Sequence, residues 1–260
     1  ALLILLMTIY YRIDSIMLER MINDNSVQAG IYAQAYRFFE ASNMFAYLFA
    51  ALLLPIFSRM LKNNESVYEL VTFSFKLLMS FGLMLSVFCF FYSYEIMDIR
   101  YAENIIESSV VFKILMICFL CVSSTYIYGT LLTANGNLFY LNLVAAFGVI
   151  LNVVLNLILI PQYNAIGSAT ASLITQFLTG LLQIILCVYI FRFSLFLTFI
   201  RLSFFIVCVL ISAYCIYKQN YSITSSLVLY GICCFFSLFL TRLFKFSDFY
   251  LLIENKFQIK

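Results

Sequence analysis

Apolar residues run along this chain in stretches of about 20, interrupted by short polar breaks: NDNS at 23–26, KNNES at 62–66, NGN at 135–137, PQYN at 161–164 and KQNYS at 218–222. Runs of that length span ~30 Å of hydrocarbon as helices rising 1.5 Å per residue. Eight spanning segments are drawn, at about 1–19, 31–58, 72–94, 109–133, 138–160, 166–191, 199–217 and 222–241. The fold class expected is all-α, a polytopic helical membrane protein. A β-barrel would alternate apolar and polar residues in strands of about ten, and these runs are unbroken. The longest break, YEIMDIRYAENIIES at 94–108, reads as a solvated or surface-lying turn. None of the breaks has room for an extramembrane domain.

Composition agrees: 65% of the residues are hydrophobic, 10% are charged, and mean hydropathy is +1.03. The net charge of +3 does not point to nucleic acid, and its placement carries more information than its size. Arg59, Lys62, Arg192, Arg201, Arg242, Lys245, Lys256 and Lys260 fall in one set of alternate loops, against Arg20, Arg100 and Lys218 in the other. The richer set is expected on the cytoplasmic side, which puts both ends of the chain there. Residue 1 is Ala already inside an apolar run, so the chain is expected to start partway through a longer protein. The tail LFKFSDFYLLIENKFQIK is basic and aromatic and is expected to lie on the inner membrane surface.

All eight cysteines lie in apolar runs and there is no histidine, so they are read as small hydrophobes rather than metal ligands or disulfides. The same absence removes Ser-His and Cys-His catalysis, and GxxxxGK[ST] does not occur. No catalytic residue, metal or cofactor is assigned, and the chain is not read as an enzyme.

Candidate chemistry lies in charges within the apolar segments, which cost at least ~2.5–3.5 kcal/mol each unless they face protein or water. Arg12 and Asp14 stand ~200° apart around the first helix and cannot pair along one face. Either Arg12 snorkels and Asp14 is a structural hydrogen-bonder, or both line a wet cavity. In the second helix Gly30, Ala33, Gln34, Arg37, Glu40, Ala41 and Met44 form a small-and-polar stripe, with Ile31, Tyr32, Phe38, Phe39 and Phe45 opposite. Arg37 and Glu40 are spaced to form an ion pair. Alternatively Arg37 meets an anionic ligand, for which its planar fork suits phosphate oxygens. Pro55 is expected to bend or end this helix before Arg59. Lys76 and Lys113 are expected to snorkel to the headgroups. Asn152 and Asn156 give the fifth helix a polar edge; in the sixth, Gly167/Ala171 and Ser168/Ser172 suit tight packing, and Thr175, Gln176, Thr179, Gly180 and Gln183 follow along one face. The last two helices carry little polar stripe and are expected to face lipid.

Four blocks in order carry a resemblance: Asp14 in IDSIMLE, Gly30 to Ala35 (GIYAQA), Pro55 to Arg59 (PIFSR), and Asn156 to Ala171 ahead of SLITQ. Together they resemble the polysaccharide-transport (Wzx-like) branch of the multidrug/oligosaccharidyl-lipid/polysaccharide exporter superfamily. That resemblance implies the second lobe plus two extra helices of a fourteen-helix exporter fold: residues 1–191 as the carboxy-terminal six-helix lobe, and 192–260 as two further helices and a basic tail. It covers about residues 10–191 by motif, and the first lobe is missing. The implied activity is flipping of undecaprenyl-diphosphate-linked oligosaccharide across the bacterial inner membrane by alternating access, for O-antigen, capsule or exopolysaccharide. The implied partners are that lipid-linked oligosaccharide, membrane lipid, the amino-terminal lobe and a polysaccharide polymerase. Arg37 is expected to contact pyrophosphate or gate the cavity, with Arg12 and Asp14 next, Asp14 also able to take a cation or proton. Glu40, Gln34, Asn152, Asn156 and Gln176 complete the expected cavity lining. The alternatives are a cation-coupled multidrug exporter of the same superfamily, a polytopic polysaccharide polymerase or glycosyltransferase, and a fragment whose helices only pack.

Overall fold

The computed structural model describes residues 13–22 and 25–244, and among them there are eight helices and no strand. They are α1 (13–21), α2 (Asn25–Lys62), α3 (Tyr68–Phe91), α4 (Ser93–Arg100), α5 (Ile105–Ala134), α6 (Leu138–Phe191), α7 (Phe196–Tyr217) and α8 (Ile223–Leu240). Six of them, α2, α3, α5, α6, α7 and α8, are long and apolar enough to cross a membrane. The chain is an all-α polytopic membrane protein.

α6 is a hairpin, which reconciles its 54 residues with the two segments expected at 138–160 and 166–191. The backbone leaves helical geometry at Asn164 (φ 51°, ψ −131°). That is the first central position of a type II′ turn, which favours glycine, so asparagine there stores about 1–3 kcal/mol of strain. Three residues earlier Pro161 removes an amide from the helical ladder. The two arms then run antiparallel: Gly148 faces Thr175 and Thr179, and Gly167 lies against the backbone of Leu159 and Ile160. In a straight helix Gly148 and Thr179 would be over 40 Å apart at ~1.5 Å per residue. The closeness needs both glycines, since a Cβ on Gly167 would stand 2.3 Å from the Leu159 carbonyl oxygen and one on Gly148 2.8 Å from Thr179 Cγ2.

α5 is the central helix, packed against α2, α3, α4 and α6. Its apolar residues are spread around its whole circumference, as suits a helix surrounded by protein. Val111, Phe112, Leu115, Phe119, Ile127, Tyr128 and Leu131 are all fully buried. α7 packs on α3, and α8 on α7 with a smaller contact to α3. These last two keep many exposed Phe, Leu, Ile and Val side chains, as a lipid-facing pair does.

Three local expectations change. The 94–108 break contains α4, whose Met97 is fully buried and whose contact is with α5, because an apolar side chain on each turn of even a short helix can be sunk into a neighbour. α2 continues seven residues past Pro55 to Lys62 rather than ending there, since a proline inside an apolar membrane helix costs one ladder bond and packing retains the rest. Lys76 is buried, at 8% exposure, instead of reaching out to the surface. Lys113 lies with its ammonium 5.6 Å from the centre of the Phe90 ring.

Gly167→Ala is expected to lower stability by about 1–3 kcal/mol or more, because the obstacle is backbone and cannot rotate away. Gly30→Ala, with open space around it, is expected to be neutral or to stabilise by about 0.5–1 kcal/mol. Thermal unfolding of the two variants in detergent reads the difference.

Candidate functional site: a buried carboxylate held by three helices

Asp14 projects from α1 into the interior and is 3% exposed. Its Oδ2 accepts from the Tyr32 hydroxyl of α2 at 2.9 Å and from the Ser172 hydroxyl of the second arm of α6. Its Oδ1 accepts from Asn156 Nδ2, in the first arm, at 2.7 Å. The same Asn156 amide donates to Asn152 Oδ1 at 3.0 Å, one turn away. Asn156 and Ser172 each lie eight residues from Asn164, so the turn brings them to the same level on facing arms. The hairpin geometry therefore builds half of the site.

An isolated carboxylate in this setting is costly, and three donors aimed at it supply the stabilisation that water would otherwise give. No Lys or Arg is among its described partners. Around it several buried polar atoms have no partner of their own: Asn152 Nδ2, Asn156 Oδ1, Ser168 Oγ and Thr175 Oγ1. Beside the carboxylate is a cavity of about 10 Å³ lined by Asp14, Tyr32, Tyr36, Phe39, Leu115, Cys118, Ser172 and Gln176. That is room for about one water or an ion of similar size. Tyr36 stacks on Tyr32, with ring centres 5.6 Å apart and planes 23° apart, and the aromatic pair walls the cavity on the α2 side.

Of the residues singled out from the sequence, Asp14, Asn152, Asn156 and Gln176 come together here. Gln34 is half-buried on α2, where its carbonyl oxygen accepts from the Tyr101 hydroxyl at 3.4 Å and its Oε1 has no partner. Arg37 and Glu40 are on the exposed face of α2, away from the carboxylate. No ion pair joins them among the described residues. Arg12 lies outside the described residues. The small-and-polar stripe of α2, with Gly30, Ala33, Arg37, Glu40, Ala41 and Met44, is the exposed face of that helix, and Ile31, Tyr32 and Phe39 are buried.

Tyr32 and Ser172 were not assigned to a site by the sequence: the tyrosine reads as part of an aromatic face and the serine as packing. The one available signal was symmetry, because Asn156 and Ser172 are equidistant from PQYN once that break is read as a turn. No group of three or more His, Cys, Asp or Glu suited to a metal ion occurs among the described residues. What the arrangement offers instead is a buried carboxyl group, reached by hydroxyl and amide groups and adjoining a water-sized space. Comparison with known protein families and with curated proteins finds no match to either.

Tyr32→Phe is expected to cost about 1–3 kcal/mol, as the buried Asp14 carboxyl loses a donor with little change of shape. Ser222→Ala, which removes the exposed cap of α8 that accepts from the Ser225 amide, is expected to cost under about 1 kcal/mol. Both are measured by thermal unfolding in detergent.

Proposed function

We propose that this chain is part of a flippase that moves undecaprenyl-diphosphate-linked oligosaccharide across the bacterial inner membrane by alternating access, with Asp14 as its energy-coupling group. The observation that carries this reading is the Asp14 cluster itself. A carboxylate gripped at once by α2 and by both arms of α6 has a different set of preferred contacts when neutralised by a proton or cation, so its state can bias how those helices sit. The cavity beside it accepts one small occupant. Packing alone would be served better by an apolar side chain.

The anionic cargo is assigned to Arg37, which is exposed on a face of α2 otherwise lined by small residues. A guanidinium about 18 Å along α2 from Asn25, at ~1.5 Å per residue, stands at a depth where lipid tails are a poor neighbour. In this reading it faces a wet vestibule shared with an amino-terminal lobe, and pyrophosphate oxygens accept from its fork. The reading places the lysine- and arginine-rich loops and both ends of the chain in the cytoplasm, and a polysaccharide polymerase is the natural next step for the flipped product.

A cation-coupled drug exporter of the same superfamily is the second reading, favoured by the fact that the buried charge is acidic. The two differ at Arg37. With the complete transporter in cells, Arg37→Ala at normal protein level is expected to cut surface polysaccharide by about 30-fold or more, the worth of a lost charge-assisted contact. Asp14→Asn is expected to abolish transport in either reading. Undiminished polymer in Arg37→Ala, with dye efflux lost in Asp14→Asn, would move the assignment to the drug exporter.

A further inference from the structure

The first amides of a helix have no acceptor within it, and the second arm of α6 begins at Ala165, directly after the strained Asn164. Its amide finds an acceptor on another helix: Ala165 N–H donates to Gln28 Oε1 of α2 at 3.2 Å. The other end of the same side chain donates from Nε2 to Glu107 Oε2 at the start of α5, also at 3.2 Å. One glutamine thus caps the hairpin tip and ties it to α2 and α5. Gln28 lies four residues before Tyr32, on the same face of α2, so that face grips α6 at two levels. At the lower level the bonds to Asp14 are 2.9 and 2.7 Å long and buried. At the upper level they are longer, Gln28 is half-buried and Glu107 is exposed, so water competes there.

We propose that Gln28 is a latch: it holds the Asn164 tip of the α6 hairpin against α2 and α5, closing that end of the seam between α2 and α6 that leads to Asp14. The latch is the weaker of the two grips and opens first. Once Ala165 is released, the strain at Asn164 favours movement of the tip. This device is independent of what the protein carries.

The test uses the whole chain in lipid nanodiscs, with hydrogen exchange read by mass spectrometry and labelling of Asp14 by a water-soluble carbodiimide. Gln28→Ala, and the near-isosteric Gln28→Met as a variant that preserves packing, are expected to speed exchange at residues 165–168 by about fivefold to tenfold, the worth of one hydrogen bond. Exchange in α3 and α7 should stay unchanged, and Asp14 labelling should rise. Glu107→Gln, which keeps an acceptor for Gln28, should behave as the parent chain. Asn164→Gly, which removes the strain, should shrink the effect of Gln28→Ala. Unchanged exchange at the tip in both Gln28 variants overturns the proposal. So does an increase shared equally by α3 and α7, or a faster tip with no gain in Asp14 labelling.

Discussion

A carboxyl group sunk among apolar helices, with no Lys or Arg among its described partners, must be satisfied by hydroxyls and amides, and that requirement organises the middle of this molecule. Asp14 draws its donors from Tyr32 on α2, Asn156 on the first arm of α6 and Ser172 on the second. Losing one such bond costs about 1–3 kcal/mol, because it leaves a buried polar group short of a partner. The four segments therefore cannot shift independently at this level. The antiparallel hairpin follows from the same demand, because only a chain that folds back on itself offers Asn156 and Ser172 to one acceptor. The glycines at 148 and 167 let the arms come close enough to do so.

Around that centre the helices divide by how much protein surrounds them. α5 is enclosed, and its small residues at Ser123, Ser124, Thr125 and Gly129 allow α3 and α6 to approach closely. Its serine and threonine hydroxyls bond back to its own carbonyls, as Ser123 does to Phe119 and Ser124 to Cys121, whereas the buried Tyr128 hydroxyl has no partner. α7 and α8 sit at the edge and expose aromatic and aliphatic side chains. α2 is two-sided in a way that matters for function. Its aromatic face serves the buried carboxylate, and its small, charged face, with Arg37 and Glu40, is left open.

Helix content, the approximate positions of the spans and the residues out of place in them were legible before any coordinates, for local reasons. An apolar run of about 20 residues has one stable form in a bilayer, since each backbone amide must be satisfied within its own segment. Asp14, Asn152 and Asn156 stood out because polar groups in such runs are rare and costly. The partners that complete the cluster were not legible. Tyr32 looks like any aromatic on a membrane helix, and Ser172 like any small packing residue, so neither is marked by cost.

Sequence alone thus determined that this is an all-helical membrane protein with an acidic group misplaced in apolar surroundings. Only the tertiary structure decided which face of α2 is buried, that α6 turns back at Asn164, that Lys76 is enclosed, and that Arg37 and Asp14 lie apart. The reason is that, in lipid, an apolar side chain is equally at home against a neighbour or against a fatty acyl tail. Periodicity, which reports burial so well in water, no longer does, and the facing of each helix is set by steric fit and by the few polar atoms that must find one another.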